Sequence, residues 1–357
     1  MKEVAAYGRA MRLALNLGYL AGRADPAEVL ALVQHAERLG FASVWAAEAY
    51  SSDSPSVLAW LAGQTSTIDL GSAVMQIPGR SPAMTAMTAA TLDLLSGGRF
   101  TLGLGVSGPQ VSEGWHGVRF ARPLARTRAY VEVVRSALAR ETVRHAGPHH
   151  PLPLPDGPGK ALRLGLRPLR DHVPLYLAAV GPKNLELAGE VADGWLAVLL
   201  DPGTAAEQLG HVRVGRALVG LDLDGFDVVA IVPLSVGPDP RVCADPVRAY
   251  VALYVGGMGS REQNFYTSHA VRMGFAEAAV TVQDLYLSGR PREAEAAVPY
   301  ELVDRTSLLG DRSRVADGLA RLGAAGVTTC AVVAYGSTLE ERRHALTVAA
   351  EALDMTT

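Results

Sequence analysis

Short apolar runs alternate with amphipathic stretches along nearly the whole chain, and the junctions between them repeat the same chemistry. Each run passes through a polar, proline-bearing junction into a helix-period pattern, and glycine ends that pattern before the next run. Asp25-Pro26-Ala27-Glu28 has the form of a capping box with proline at the first helical position. Val29, Leu32, Val33 and Ala36 then keep helical spacing up to Gly40. Ser54-Pro55, Ser81-Pro82, Gly181-Pro182, Asp201-Pro202 and Asp245-Pro246 repeat the start signal; Gly97, Gly98, Gly194 and Gly326 repeat the stop. A chain so built is a series of βα units.

Strands are expected at 12–17, 43–47, 68–76, 100–105, 174–179, 195–200, 226–236 and 327–334. Apolar runs between helices imply parallel strands covered on both sides. Eight such units suit a closed (β/α)8 TIM barrel; an open doubly wound sheet is the alternative. Two stretches break the repeat and read as insertions: 145–173, rich in proline and glycine, after the fourth helix, and 248–311, with several helical patterns, between strands seven and eight. Residues 1–10 read as a flexible leader and 11–357 as one barrel domain.

Composition narrows the class of function. Lys+Arg total 33 against 36 Asp+Glu, a net charge of −3, whereas a nucleic-acid surface needs a basic face to displace phosphate counterions. The apolar runs stop well short of the roughly 18 to 20 residues that span a bilayer, and no secretory h-region follows Met1. Cys243 and Cys330 make neither a disulfide framework nor a metal cluster. The expected protein is cytoplasmic, without nucleic-acid or membrane partners and without a metal.

In a parallel barrel, functional residues gather where the strands end and the βα loops begin. Asn16, Gly18 and Tyr19, Glu48 and Tyr50, Met75 and Gln76, Ser107 and Gly108, Ala179, Val180 and Gly181 hold such positions. The glycine-rich run 103–108 either brings backbone close to a ligand or packs tightly against its neighbours. At Gly181-Pro182-Lys183 a helix start and one of only three lysines suit a phosphate equally well as a solvated turn. Glu48 in a barrel mouth serves as an acid or anchors neighbouring amides. Glu113, Trp115 and His116 follow the fourth strand and offer a ring and titrating groups. Residues 256–266, with Asn264 and Tyr266, form a lid or a subunit contact. Met84 and Met87, at helical spacing, are expected to pack inside.

Taken together, Val44-Trp45-Ala46-Ala47-Glu48-Ala49-Tyr50, the stretches 11–18, 71–78, 83–117 and 175–195, and the run 254–266 resemble the luciferase-like monooxygenase superfamily, in its coenzyme F420-dependent branch. The resemblance covers nearly the whole chain from Met11. It implies a (β/α)8 barrel, a homodimer, and hydride transfer at C5 of a deazaflavin, whose carbon in place of the flavin N5 suppresses reaction with oxygen. It implies a non-prolyl cis peptide at Ala73-Val74 against the cofactor ring, with Asn16, Gly18, Glu48, Met75 and Gln76 around that ring. Val106, Ser107 and Gly108, with Ala179, Val180, Gly181, Pro182 and Lys183, match the segments that hold the ribityl-phosphate tail. Tyr19, Tyr50, Trp115, Asn264 and Tyr266 are then expected to face substrate.

The chain departs from the family's glucose-6-phosphate dehydrogenases. Ala47-Glu48-Ala49-Tyr50 stands where those carry a His-Trp pair, and Gly108-Pro109 where they carry a glutamate. Sugar-phosphate oxidation is not expected, and Glu48, Glu113 and His116 become the candidate proton donors. The expected reaction is reduction of an activated C=C or C=N bond in a small molecule or modified peptide. An FMN-dependent monooxygenase and a non-catalytic cofactor- or partner-binding barrel are the rival readings.

Overall fold

A computed structural model describes residues 11–20 and 24–354; the expected leader lies outside these. Strands β1 (Arg12–Asn16), β2 (Ser43–Ala46), β3 (Asp69–Ser72), β4 (Met75–Gln76), β5 (Phe100–Gly105), β6 (Leu175–Ala178), β7 (Gly194–Val198), β8 (Asp227–Val236), β9 (Leu308–Gly310) and β10 (Thr329–Ala334) form one sheet. Every pairing between them is parallel, and β10 bonds to both β1 and β8, which closes the sheet. Eight strands make the barrel. β4 continues the third of them beyond a break, and β9 adds a short edge to the end of β8.

All eight expected strands are present. The third is divided between Ser72 and Met75, and the Ala73-Val74 peptide there is cis, at the position the resemblance implies. The helices are α1 (Pro26–Arg38), α2 (Ser54–Ala62), α3 (Pro82–Leu95), α4 (Pro109–Gly114), α5 (Pro123–Leu138), α6 (Pro182–Val191) and α7 (Ala205–Leu218). They continue with α8 (Pro240–Ala252), α9 (Phe265–Arg272), α10 (Ala276–Leu287), α11 (Pro291–Ala297), α12 (Tyr300–Arg305), α13 (Arg312–Ala324) and α14 (Leu339–Asp354). Asp25 caps α1 by accepting from the Ala27 amide, and Ser81 caps α3 from the Met84 amide. The start signal at Asp245-Pro246 is overturned: Asp239 caps α8 six residues earlier, and Pro246 lies inside that helix.

Most buried side chains lie between the strands and the outer helices, where Phe100, Tyr130 and Trp195 are fully covered. A smaller set fills the barrel itself: Ala14, Trp45, Leu196, Val229, Ile231 and Ala331. Trp45 stacks on Tyr176 at 5.8 Å, and below them Asp227 binds Arg12 at 2.7 Å and the Tyr176 hydroxyl at 2.9 Å. This plug fills the N-terminal end, and the barrel opens where its strands end.

The second insertion borders that open end, where Tyr254, Met258 and Phe265 line the mouth; the first leaves the end of α5 and returns at the start of β6, at the closed end. Residues 139–174 are pinned to α3 by the buried Asp93, whose carboxylate accepts from Arg170 at 2.8 Å and from the Leu169 amide at 3.1 Å. Helices α8 to α12 form a second apolar cluster of their own against β9. No helix among the described residues is long and apolar enough to cross a membrane.

Candidate active site

A cavity of about 800 Å³ opens at the C-terminal ends of the strands, within the roughly 300–1,000 Å³ usual for small-ligand sites. Its floor is made of small residues, Ala73, Gly105 and Ala178, with Val74 among them. A Cβ on Gly105 would come within 2.5 Å of the Val74 side chain, and one on Gly103 within 1.8 Å of the Ser72 carbonyl oxygen. These two glycines therefore let β5 lie close against the broken third strand. Gly103, Gly105 and Gly108 have Gly-x-Gly-x-x-Gly spacing, but the first two sit inside a strand and pack, so they form no dinucleotide turn.

Asn16, Gly18, Glu48, Gln76, Val106, Ser107, Gly108, Val180, Gly181, Pro182 and Lys183 line the cavity, as do Tyr19, Tyr50 and Tyr266. The Asn16 carboxamide accepts from the Gly18 amide at 2.6 Å and holds a turn in which Gly18 has φ +61°. Glu48 is an anchor. Its carboxylate accepts from the Gln76 amide at 2.9 Å and the Ser54 amide at 3.1 Å, and it pairs with Arg80, which also pairs with Asp53. Gln76 returns the contact, donating through Nε2 to the Glu48 carbonyl at 3.0 Å, and its Oε1 accepts from His116 Nε2 at 2.8 Å.

Several expected residues stand elsewhere. Met75 and Ala179 are buried behind the lining; the Ala179 carbonyl accepts from Trp195 Nε1 at 2.9 Å. Helix α4 carries Glu113, Trp115 and His116 away from the mouth. Glu113 accepts from the Phe120 amide at 3.0 Å, Trp115 is 66% exposed, and His116 reaches the cavity only through Gln76. Asn264 caps α9 and donates to the carbonyls of Tyr254 and Val255 at 3.3 and 2.9 Å. Residues 256–266 are a packed wall: Gly256 and Gly257 lie against Tyr286, where a Cβ would approach to 2.6 and 2.5 Å.

Among the described residues, five tyrosines line the cavity: Tyr19, Tyr50, Tyr250, Tyr254 and Tyr266. Tyr250 and Tyr254 were missed by sequence reasoning. Their i, i+4 spacing on α8 and the π-turn after it (Leu253–Gly257) was the available signal. The rings of Tyr250 and Tyr254 lie 4.6 Å apart and those of Tyr254 and Tyr266 4.8 Å. Burial pushes all three hydroxyls, and that of Tyr19, above the ordinary tyrosine range. They are neutral donors at physiological pH.

At the other side of the mouth, the start of α6 presents Gly181, Pro182, Lys183 and Asn184. The Lys183 ammonium lies 2.7 Å from Glu186 and holds that carboxyl below its ordinary range. The Asn184 Oδ1 is buried without a hydrogen-bond partner. A small-residue floor, an aromatic wall and a helix start fit a flat ring with an anionic tail.

The family model for luciferase-like monooxygenases matches residues 11–329. A Mycobacterium tuberculosis protein bearing the name coenzyme F420-dependent oxidoreductase is 43% identical over 331 residues, 91% of this chain and 95% of the relative. The 5,10-methylenetetrahydromethanopterin reductase of Archaeoglobus fulgidus is 30% identical over 83% of this chain and 86% of its own length. The solved structure of the coenzyme F420-dependent tetrahydromethanopterin reductase from Methanopyrus kandleri superposes with a TM-score of 0.81 at 26% identity, covering 96% of this chain and 98% of that one. The chain belongs to the luciferase-like monooxygenase family, in the branch whose relatives are named coenzyme F420-dependent oxidoreductases.

Proposed function

We propose that this chain is a coenzyme F420-dependent oxidoreductase that transfers a hydride between the deazaflavin C5 and an activated C=C or C=N bond of a small molecule or modified peptide. The 43% identity across nine-tenths of the chain to a relative of that name carries the reading, and the fit of the cavity supports it. When bound, the deazaflavin supplies two-electron hydride chemistry, because carbon replaces the nitrogen through which a flavin reacts with oxygen. Ala73, Val74 and Gly105 offer the ring a floor; Asn16, Gly18 and Gln76 offer it an edge. Val106, Ser107 and Gly108 with Val180, Gly181 and Asn184 receive the phosphate-bearing tail. Glu48 acts indirectly, by holding the Gln76 amide and Arg80 in place.

The reading is tested anaerobically by mixing protein, reduced coenzyme and a panel of enones, imines and dehydroamino acids, and following return of the coenzyme's visible absorbance. Oxidation with at least one acceptor is expected. Tight coenzyme binding with no turnover of any acceptor would contradict the proposal.

Lys183 is expected to contribute modestly to the tail. Its side chain is 75% exposed and shared with Glu186, and exposed ion pairs contribute about 0.2–1 kcal/mol. Lys183→Ala should therefore weaken coenzyme binding by no more than roughly five-fold; a loss of several hundred-fold in a fluorescence titration would place the main tail contact on this lysine instead.

The active unit is proposed to be a homodimer in the cytoplasm. Both cysteines are free and buried, which suits a reducing compartment. Met84 and Met87 do not pack inside: they are 52% and 53% exposed, and with Leu94 and Leu95 they form an apolar face along α3. Met87→Glu should convert dimer to monomer in light scattering, and an unchanged mass would exclude this face from the interface.

A further inference from the structure

Each acid singled out by position as a proton donor is either occupied or outside the cavity. Glu48 is held by two amides and Arg80. Glu113 is bonded to its own loop, and His116 stops at Gln76. The cavity offers phenols in their place. Tyr250 stands among them, its ring 4.6 Å from that of Tyr254, which in turn lies 4.8 Å from Tyr266. The Tyr250 hydroxyl is buried without a hydrogen-bond partner, and the residue lines the cavity. An unpaired buried donor beside a ligand site is relieved when the ligand brings an acceptor.

The charges around the cavity say what kind of acceptor fits. Among the described lining residues only Glu48 and Lys183 carry full charge, and both are paired, with Arg80 and Glu186. Beyond the cofactor's own tail site, the wall is Leu253, Met258, Phe265 and the tyrosines. It provides no free charge to balance an ionised substrate.

We propose that the Tyr250 hydroxyl donates the proton that completes the reduction, and that the acceptor is an uncharged, largely apolar molecule whose carbonyl oxygen or imine nitrogen takes that hydrogen bond. This deepens the proposed function and rests on it. For an enone, with a reduced deazaflavin as reductant, a hydride forms the new C–H bond at the β-carbon and the C=C electron pair moves toward the carbonyl. The carbonyl oxygen takes the Tyr250 proton as the phenol O–H bond breaks, and the enol so formed rearranges to the ketone. Once product leaves, water entering the mouth, where Tyr50 is 61% exposed, restores the phenol. Asn264 is a positioning residue in this account, since it clamps the turn that carries Tyr254.

The test uses benzylideneacetone and its para-carboxylate with the full chain. In calorimetry without coenzyme, the neutral enone should bind wild type at least about 10-fold more tightly than Tyr250→Phe, and its infrared carbonyl band should shift to lower frequency in wild type only. The carboxylate should bind more weakly than the neutral enone. Single-turnover oxidation of reduced coenzyme by the enone should fall about 10²–10⁴-fold in Tyr250→Phe, with coenzyme affinity and melting temperature unchanged. No enone binding to wild type, an identical affinity and carbonyl band in the variant, or preference for the carboxylate would each overturn the proposal. Failure of wild type to bind the coenzyme would instead refute the function beneath it, and the calorimetry would still decide the role of Tyr250.

Discussion

Glu48→Ala is expected to cost about 3–5 kcal/mol of folding stability in chemical denaturation, the range for breaking one side of a buried ion pair, and to abolish measurable coenzyme binding. Glu48 is 8% exposed and accepts from two backbone amides while pairing with Arg80. Alanine leaves those three donors facing an empty space at the joint between β2, β4 and α2. The Gln76 backbone amide then has no acceptor, and its side chain is left with the residue-48 carbonyl and His116 alone. Glu48→Gln should be intermediate, because one carboxamide oxygen can still accept but its NH₂ must face a donor. The rival role makes the opposite forecast: a general acid replaced by glutamine leaves stability and coenzyme affinity intact and removes turnover alone.

Gly103→Ala and Gly105→Ala, two residues apart on β5, should separate folding from function. At 103 the new methyl would meet the Ser72 backbone oxygen at 1.8 Å, and the Ser72 hydroxyl already bridges the Gly103 amide and carbonyl at 2.9 and 2.8 Å. Neither side can yield without breaking the barrel's third and fourth strands apart. A loss above about 4 kcal/mol is expected, seen as failure to recover soluble protein. At 105 the methyl meets the Val74 side chain at 2.5 Å, which can be displaced toward the cavity. Gly105→Ala should fold with a loss of about 1–3 kcal/mol and bind coenzyme at least about 10-fold more weakly, because the floor rises. Normal affinity in a folded Gly105→Ala protein would show that the floor is not where the ring lies.

The barrel was legible because its information is local. Apolar runs, proline-led helix starts and glycine stops mark each βα unit, and all eight strands fall where that pattern puts them. What escaped depends on direction or on a distant partner. β9 is three residues long, too short for a periodic signal. Glu113 and His116 follow a strand end, yet the short helix α4 turns them outward, and loop direction is not written in residue spacing. Lys183 looked free, but Glu186 stands one turn along the same helix. Tyr250 and Tyr254 resemble the core stripe of any amphipathic helix until α8 is seen to end in a π-turn over the cavity.

The central claim is that this cavity takes a deazaflavin. Equilibrium titration of the purified chain with oxidised coenzyme F420 and with FMN, under identical buffer and salt, tests it most directly. The account predicts saturable binding of F420 at least about 10-fold tighter than FMN, a difference of about 1.4 kcal/mol, with no oxygen consumption when reduced F420 is added. Tighter binding of FMN, accompanied by oxygen uptake on reduction, would contradict it and assign the barrel to monooxygenase chemistry.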